Sequence, residues 1–264
     1  MMSLLRALWS YRHFLLSSIV NDLRTRFARS KLGALWMLLQ PLARVAMYAL
    51  VLSQVLGARL AGLDSPYAYA IYLLAGIVCW QLFLEIVTRC LTVFVDNGNL
   101  LKKIMFPRVC LPVIAAGSAL VNNILLVLAA MGVFALLGHT AFGAVAWLVP
   151  LILLTAALAC GLGLLLGTIN VFVRDVAQVM QVVLQLLFWM TPIVYMPSIL
   201  PAGMAELMRF NPLATLVAGY HAVLVYGKAP DVASLVPVVL LTLVLLGASL
   251  FVFRRASAEM VDVL

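Results

Sequence analysis

Charge is what this sequence has least of. Only 10% of its 264 residues are Asp, Glu, Lys or Arg, and just nine are acidic. A soluble globular domain carries about 25% charged residues, so this chain could not cover itself with a water-compatible surface. Hydrophobic residues make up 66% of it and its mean hydropathy is +1.17. With lipid as solvent, each crossing segment must satisfy its own backbone hydrogen bonds. The long apolar runs are rich in Leu and Ala and lack the alternation of barrel strands. The expected fold is an all-α integral membrane protein.

Catalytic groupings are missing as well. Asp64, Asp96, Asp175, Glu206, Asp231, Glu259 and Asp262 fall in predicted loops or tails, and His13, His139 and His221 are far apart. No paired carboxylates, metal cluster or nucleophile–base set emerges, so the chain is not expected to be an enzyme. The phosphate-cradling pattern G-x-x-x-x-G-K-[ST] is absent. The chain is therefore expected to hold no cofactor: ATP and Mg, if used, would sit on another polypeptide. The four cysteines, Cys79, Cys90, Cys110 and Cys160, have neither zinc-site nor disulfide-framework spacing and read as small packing residues. A net charge of +8 could suggest nucleic acid, but the basic residues are dispersed between apolar segments. No short apolar core with a small-residue cleavage site opens the chain, so no cleavable signal is expected.

Six runs are long enough to span, given that a crossing takes about 20 apolar residues: 32–56, 67–87, 109–137, 144–169, 176–195 and 232–253. They form one transmembrane domain over 1–264. Orientation follows the Lys and Arg distribution. One side receives Arg6, Arg12, Arg24, Arg26, Arg29, Lys31, Arg89, Lys102, Lys103, Arg108, Arg174, Arg254 and Arg255, leaving Arg59, Arg209 and Lys228 outside. Both termini are thus expected in the cytoplasm. Residues 4–31 read as an interfacial helix: Arg6, Ser10, His13, Ser17, Asn21 and Arg24 recur at helical spacing against Leu8, Trp9, Leu15, Leu16, Ile19, Leu23 and Phe27. Between the fifth and sixth spans, 196–231 is broken by Pro197, Pro201, Gly203, Asn211-Pro212, Gly219 and Gly227. It predicts two short re-entrant or interfacial helices, around 204–210 and 213–226.

Within the spans, Arg44 and Glu85 stand roughly 20 Å and 16 Å from the charged ends of their helices. A central Arg is stable only facing protein or water. Arg44 and Glu85 therefore read as a pair, or as parts of a water-filled lining with Gln40. The loop 96–112 sets Asn97, Gly98, Asn99, Lys102, Lys103 and Arg108 around Leu100, Leu101, Ile104, Met105 and Phe106. That is a short amphipathic helix suited to a groove on a soluble partner. In loop 170–175, Asp175 is a candidate helix cap or, with Arg174, a second contact. Gly163 and Gly167 form a G-x-x-x-G step that marks close helix packing. Trp36, Tyr48, Trp80, Phe188, Trp189 and Tyr195 belong to interfacial belts or to stacking surfaces for sugar rings.

An ordered set of short motifs remains: Asn21-Asp22-Leu23-Arg24-Thr25-Arg26-Phe27, Ser30-Lys31-Leu32-Gly33-Ala34-Leu35-Trp36, Gln40-Pro41-Leu42, Phe106-Pro107, Phe172-Val173-Arg174-Asp175 and Asn211-Pro212-Leu213. In order and spacing this set resembles the polysaccharide-export permeases of ABC transporters, especially those exporting O-antigen, with capsule and teichoic-acid exporters as near relatives. The resemblance implies a multi-pass protein of the bacterial inner membrane, a homodimer of six-helix subunits bound to two copies of an ATPase subunit. It implies a coupling helix over Asn97, Asn99, Leu100, Leu101, Lys102, Lys103, Phe106 and Arg108, with a second contact at Arg174 and Asp175. It further implies that the first and fifth helices line a channel for a lipid-linked polysaccharide, which makes Trp36, Gln40, Tyr48, Phe188, Trp189 and Tyr195 lining candidates beside Arg44 and Glu85. An ion-coupled transporter or channel, by contrast, would want mid-membrane carboxylates or paired broken helices in two related halves; only Glu85 is offered. An exporter of another amphiphile is the other alternative.

Overall fold

The computed structural model describes residues 9–27, 33–36, 39–43, 46–47, 67–103, 107–139, 143–197, 203, 208, 210–257 and 259–263. Among these the regular elements are all helical. In chain order they are α1 (Arg12–Phe27), α2 (Ala68–Asp96), α3 (Gly98–Lys103), α4 (Cys110–Leu136), α5 (Leu148–Phe172), α6 (Asp175–Met190), α7 (Pro212–Leu224), α8 (Val232–Ala256) and α9 (Met260–Val263), with 3-10 turns at Gly33–Leu35 and Val145–Trp147.

The helix α2 is the axis of the bundle. Its most apolar stretch is 83% buried, against 17% for α8. A helix that is apolar all round finds partners on every side, and α2 packs on α4, α5 and α7. The most extensive contact joins α2 to α5. It is made possible by the absence of side chains: a Cβ on Gly167 would overlap the Cys90 carbonyl oxygen, and one on Gly163 would lie 2.7 Å from the Cys90 Cβ. Lipid tails are as apolar as Leu, so membrane helices associate through close van der Waals approach rather than hydrophobic exclusion. The packing role read from G-x-x-x-G holds. On the far side of α5, Gly161 admits α8, where a Cβ would lie 3.2 Å from Leu245. The helix α8 keeps an outer face of Val236, Leu240, Leu243, Val244 and Phe251, all exposed within this chain.

Among the described residues, four segments are long and apolar enough to cross a membrane: Ala68–Asp96, Cys110–Leu136, Val145–Phe172 and Val232–Ala256. The second predicted run, 67–87, stops short of the helix. The helix in fact continues to Asp96, because no breaker occurs before Asn97-Gly98. The fifth predicted run, 176–195, corresponds to α6, a shorter apolar helix of 16 residues. At about 1.5 Å per residue it is about 24 Å long. It stops because Thr191, preceding Pro192, is driven into extended backbone (φ −99°, ψ 133°). Most of the first run, 32–56, lies outside the described residues, as does most of 204–210.

The other predicted outer helix, 213–226, is α7. Asn211 caps it by accepting a hydrogen bond from the Leu213 N–H at 3.0 Å, and Pro212 occupies the first turn, where no N–H is missed. Eight of its residues, among them Leu216, Tyr220 and His221, are buried, so α7 sits against α2 rather than on the surface.

The α2–α5 seam makes a direct prediction. Gly167→Ala is expected to destabilise the folded chain by about 1–3 kcal/mol, read as a lowered unfolding midpoint in detergent. Gly132→Ala, where a Cβ meets nothing within 4 Å, should hold the midpoint or raise it, since Ala favours a helix over Gly by about 1 kcal/mol. Equal midpoints for the two variants would contradict the seam.

Candidate functional site

At one end of the bundle, α2 hands over to α3 through a single residue. Asn97 donates its side-chain amide to the Val93 carbonyl at 2.8 Å, and its own carbonyl accepts from Leu100 and Leu101, both at 3.0 Å. One side chain thus closes α2 while one carbonyl opens α3. Gly98 and Leu101 face inward, whereas Asn99, Leu100 and Lys102 are exposed. Arg108 is half-buried after Pro107. The Lys103 side chain and Phe106 lie outside the described residues.

The connection between α5 and α6 lies nearby. Asn170, almost fully buried, donates to the Leu91 carbonyl on α2 at 3.0 Å and accepts from the Ala177 N–H in the first turn of α6 at 3.1 Å. The capping role considered for Asp175 therefore belongs to Asn170. Asp175 is already the first residue of α6, where its carboxylate favours the positive end of the helix dipole. It is exposed, as is Arg174.

The N-terminal helix is fastened to the same end. Arg89 reaches the Asp22 carboxylate at 2.7 Å and the Ala115 carbonyl at 3.3 Å, tying α1, α2 and α4 together. Beside it Ile19 fills a notch over Gly117, where a Cβ would lie 2.5 Å from Ile19 Cδ1. Leu15 is buried, and Ile19 and Leu23 are partly so, while Trp9 and Leu16 remain exposed. The apolar side read from sequence is thus divided between the bundle and the surface.

Deeper in α2, Glu85 accepts from the Asn122 amide at 2.7 Å, and Asn123 donates to the Val78 carbonyl at 2.9 Å. The other amide oxygens, on Asn122 and Asn123, are buried without a partner among the described residues. Arg44, the partner considered for Glu85, lies outside those residues, as does Tyr48. Along α6 only Leu184 is buried. Gln178, Gln181, Gln185 and Trp189 are exposed, and so are Trp36 and Gln40. Phe188 turns inward to meet Trp80 edge-on at 5.4 Å, which makes it a packing residue within this chain. Tyr195, half-buried, donates to the Trp189 carbonyl at 2.8 Å.

The far end of α6 is held by polar contacts. Tyr69 and Tyr72 donate to carbonyls of the segment 192–195, Tyr69 to Val194 at 2.5 Å. Asn211 donates to Thr191 Oγ1 at 3.1 Å. His221 of α7 stacks on Tyr72 with ring centroids 3.7 Å apart.

The model of the ABC-2 type transporter family matches residues 15–225, from the buried Leu15 of α1 to the end of α7. The chain belongs to the ABC-2 type transporter family. It is 28% identical over 222 residues to the O-antigen export system permease protein RfbA of Klebsiella pneumoniae, covering 82% of each chain. With the protein of the same name from Myxococcus xanthus it shares 27% identity over 99% of each. With the polysialic acid transport protein KpsM of Escherichia coli it shares 22% over 91% of this chain and 92% of that one.

Within this ABC-2 fold, sequence reasoning found the short helix α3 and the connection 170–175. It missed Asn170, Asp22 and Asn122. Asp22 carried a usable signal, as an acidic residue among the basic residues of 12–31 that needs a cation in a fold, but its partner is 67 residues away. Charge reversal tests this ABC-2 chain's α1 anchor. Asp22→Arg and Arg89→Asp alone should each lose about 1–3 kcal/mol of stability in detergent, and the double exchange should regain most of it. No recovery in the double variant would contradict the ion pair.

Proposed function

We propose that this chain is the membrane-spanning subunit of an ATP-driven exporter that moves a lipid-linked polysaccharide, of the O-antigen kind, across the bacterial inner membrane. The observation that carries the reading is likeness along essentially the whole chain to an O-antigen export permease, with 99% of both chains aligned. The chain's own chemistry agrees: it has no phosphate-binding loop, and four of its described helices are long and apolar enough to cross lipid.

In this reading the subunit has six spans, with 32–56 as the first and α6 as the fifth, and both termini are cytoplasmic. The domain runs over 1–264, and α1 lies at the headgroup layer against membrane lipid. Two copies of this chain pair, and two copies of an ATPase subunit bind beneath them, carrying the ATP and Mg. Coupling falls to Asn97, Asn99, Leu100, Leu101, Lys102, Lys103, Phe106 and Arg108 around α3, and to Arg174 and Asp175. Support comes from the exposure of Asn99, Leu100, Lys102, Arg174 and Asp175 at one end of the bundle.

The passage would be lined by the first span and α6. Trp36, Gln40, Arg44, Tyr48, Glu85, Trp189 and Tyr195 are its candidate residues, and Phe188 supports them from behind through Trp80. Exposed Gln178, Gln181 and Gln185, three and four residues apart on α6, share one helical face and suit hydroxyl-rich cargo. Arg44 would meet Glu85 from the first span, where the buried amide oxygen of Asn122 offers a further acceptor.

ATP binding would draw the ATPase subunits together, α3 would move with them, and the α6 face would open for the glycan. The test is export in proteoliposomes holding both subunits. Glycan transfer is expected with ATP and is expected to stop when the ATPase subunit is catalytically inactivated. Transfer that continues without hydrolysis, or hydrolysis by this chain alone, would contradict the reading.

A further inference from the structure

The two cytoplasmic contact elements are joined by a part of the chain that no motif pointed to. The helix α8 ends at Ala256 in a tight turn: the Ser257 N–H bonds the Phe253 carbonyl at 2.8 Å and the Glu259 N–H bonds the Ala256 carbonyl at 3.1 Å. The chain then enters α9, which packs on both α3 and α5. Met260, its first residue, has no solvent exposure and is part of the apolar core of the bundle, which also takes in Leu101 of α3 and Val171 at the end of α5. Just before the turn, Phe253 stacks on Phe94 in the last turns of α2, with centroids 5.6 Å apart.

A helix of six residues such as α3 does not hold its shape alone, since short helices in water are marginal without tertiary packing. Leu101 is its inward anchor, and α3 packs on α9 as well as on α2, which leads into it. We propose that Met260 is a positioning residue for energy coupling: α9 acts as a strut that fixes α3 against the end of α5. The α3 surface and the Arg174–Asp175 loop then meet the ATPase subunit as one rigid platform. This rests on the ATPase-driven reading above.

Met260→Ala and Met260→Leu, each in the full two-subunit complex, test it. Truncating a buried methionine should shift the balance between seated and unseated α3 by roughly tenfold or more. Met260→Ala is therefore expected to retain ATP hydrolysis while export per ATP falls roughly tenfold. Met260→Leu, close in volume, should stay near the wild-type ratio. A spin label at Asn99→Cys should become more mobile with Met260→Ala and not with Met260→Leu. If Met260→Ala fails to accumulate in the membrane, Met260→Val replaces it in both measurements. Wild-type export per ATP with Met260→Ala would overturn the strut, as would lost export with unchanged label mobility. Were the wild-type complex to show no ATP-dependent export, the exporter reading would fall, while label mobility would still decide whether α9 seats α3.

Discussion

The close approach of α5 to α2 at Cys90 is the contact from which the rest of the arrangement is hung. It exists only because Gly163 and Gly167 present bare backbone to α2. In lipid, where apolar exclusion supplies little between helices, that proximity is itself the stabilising term. From this pair the others follow: α8 on the opposite side of α5, α4 and α7 on the remaining faces of α2. Because the seam lies near the Asp96 end of α2, it also brings the two outgoing connections together, and Asn170 bonds across it from α5 to the Leu91 carbonyl.

A rigid seam beside a sparsely packed helix is a useful combination for a transport subunit. The helix α6 is pinned at its start by Asn170 and beyond its end by Tyr69, Tyr72 and Asn211, yet along its length only Leu184 is buried. Such a helix keeps its place while offering an amide-rich and aromatic face. The polar group formed by Glu85, Asn122 and Asn123 adds buried acceptors on the other side of α2. Acceptors of that kind inside a membrane bundle call for donors.

Much of this was legible in the residues, and the misses have physical reasons. Apolar length located α4, α5 and α8 within a few residues, because lipid imposes the same length on any crossing helix. The second span was drawn short of Arg89; a charge can stay within a helix when a neighbouring element supplies Asp22. The G-x-x-x-G step announced a close contact but not its partner, which depends on tertiary arrangement. Asn211-Pro212 was read as a breaker and is better understood as a cap with a first-turn proline. Asn170 and Met260 were invisible: one buried amide and one methionine among many acquire meaning only through what packs against them.

The central claim is that the exposed surface of α3 faces the cytoplasm, where energy must arrive. Thiol labelling of Asn99→Cys in intact cells tests it most directly, since Cys79, Cys90 and Cys110 are buried and Cys160 is half-buried, keeping the background low. Labelling by a membrane-permeant maleimide and protection from an impermeant one is the expected result. Labelling by the impermeant reagent in sealed cells would place α3 on the outer side and contradict the account.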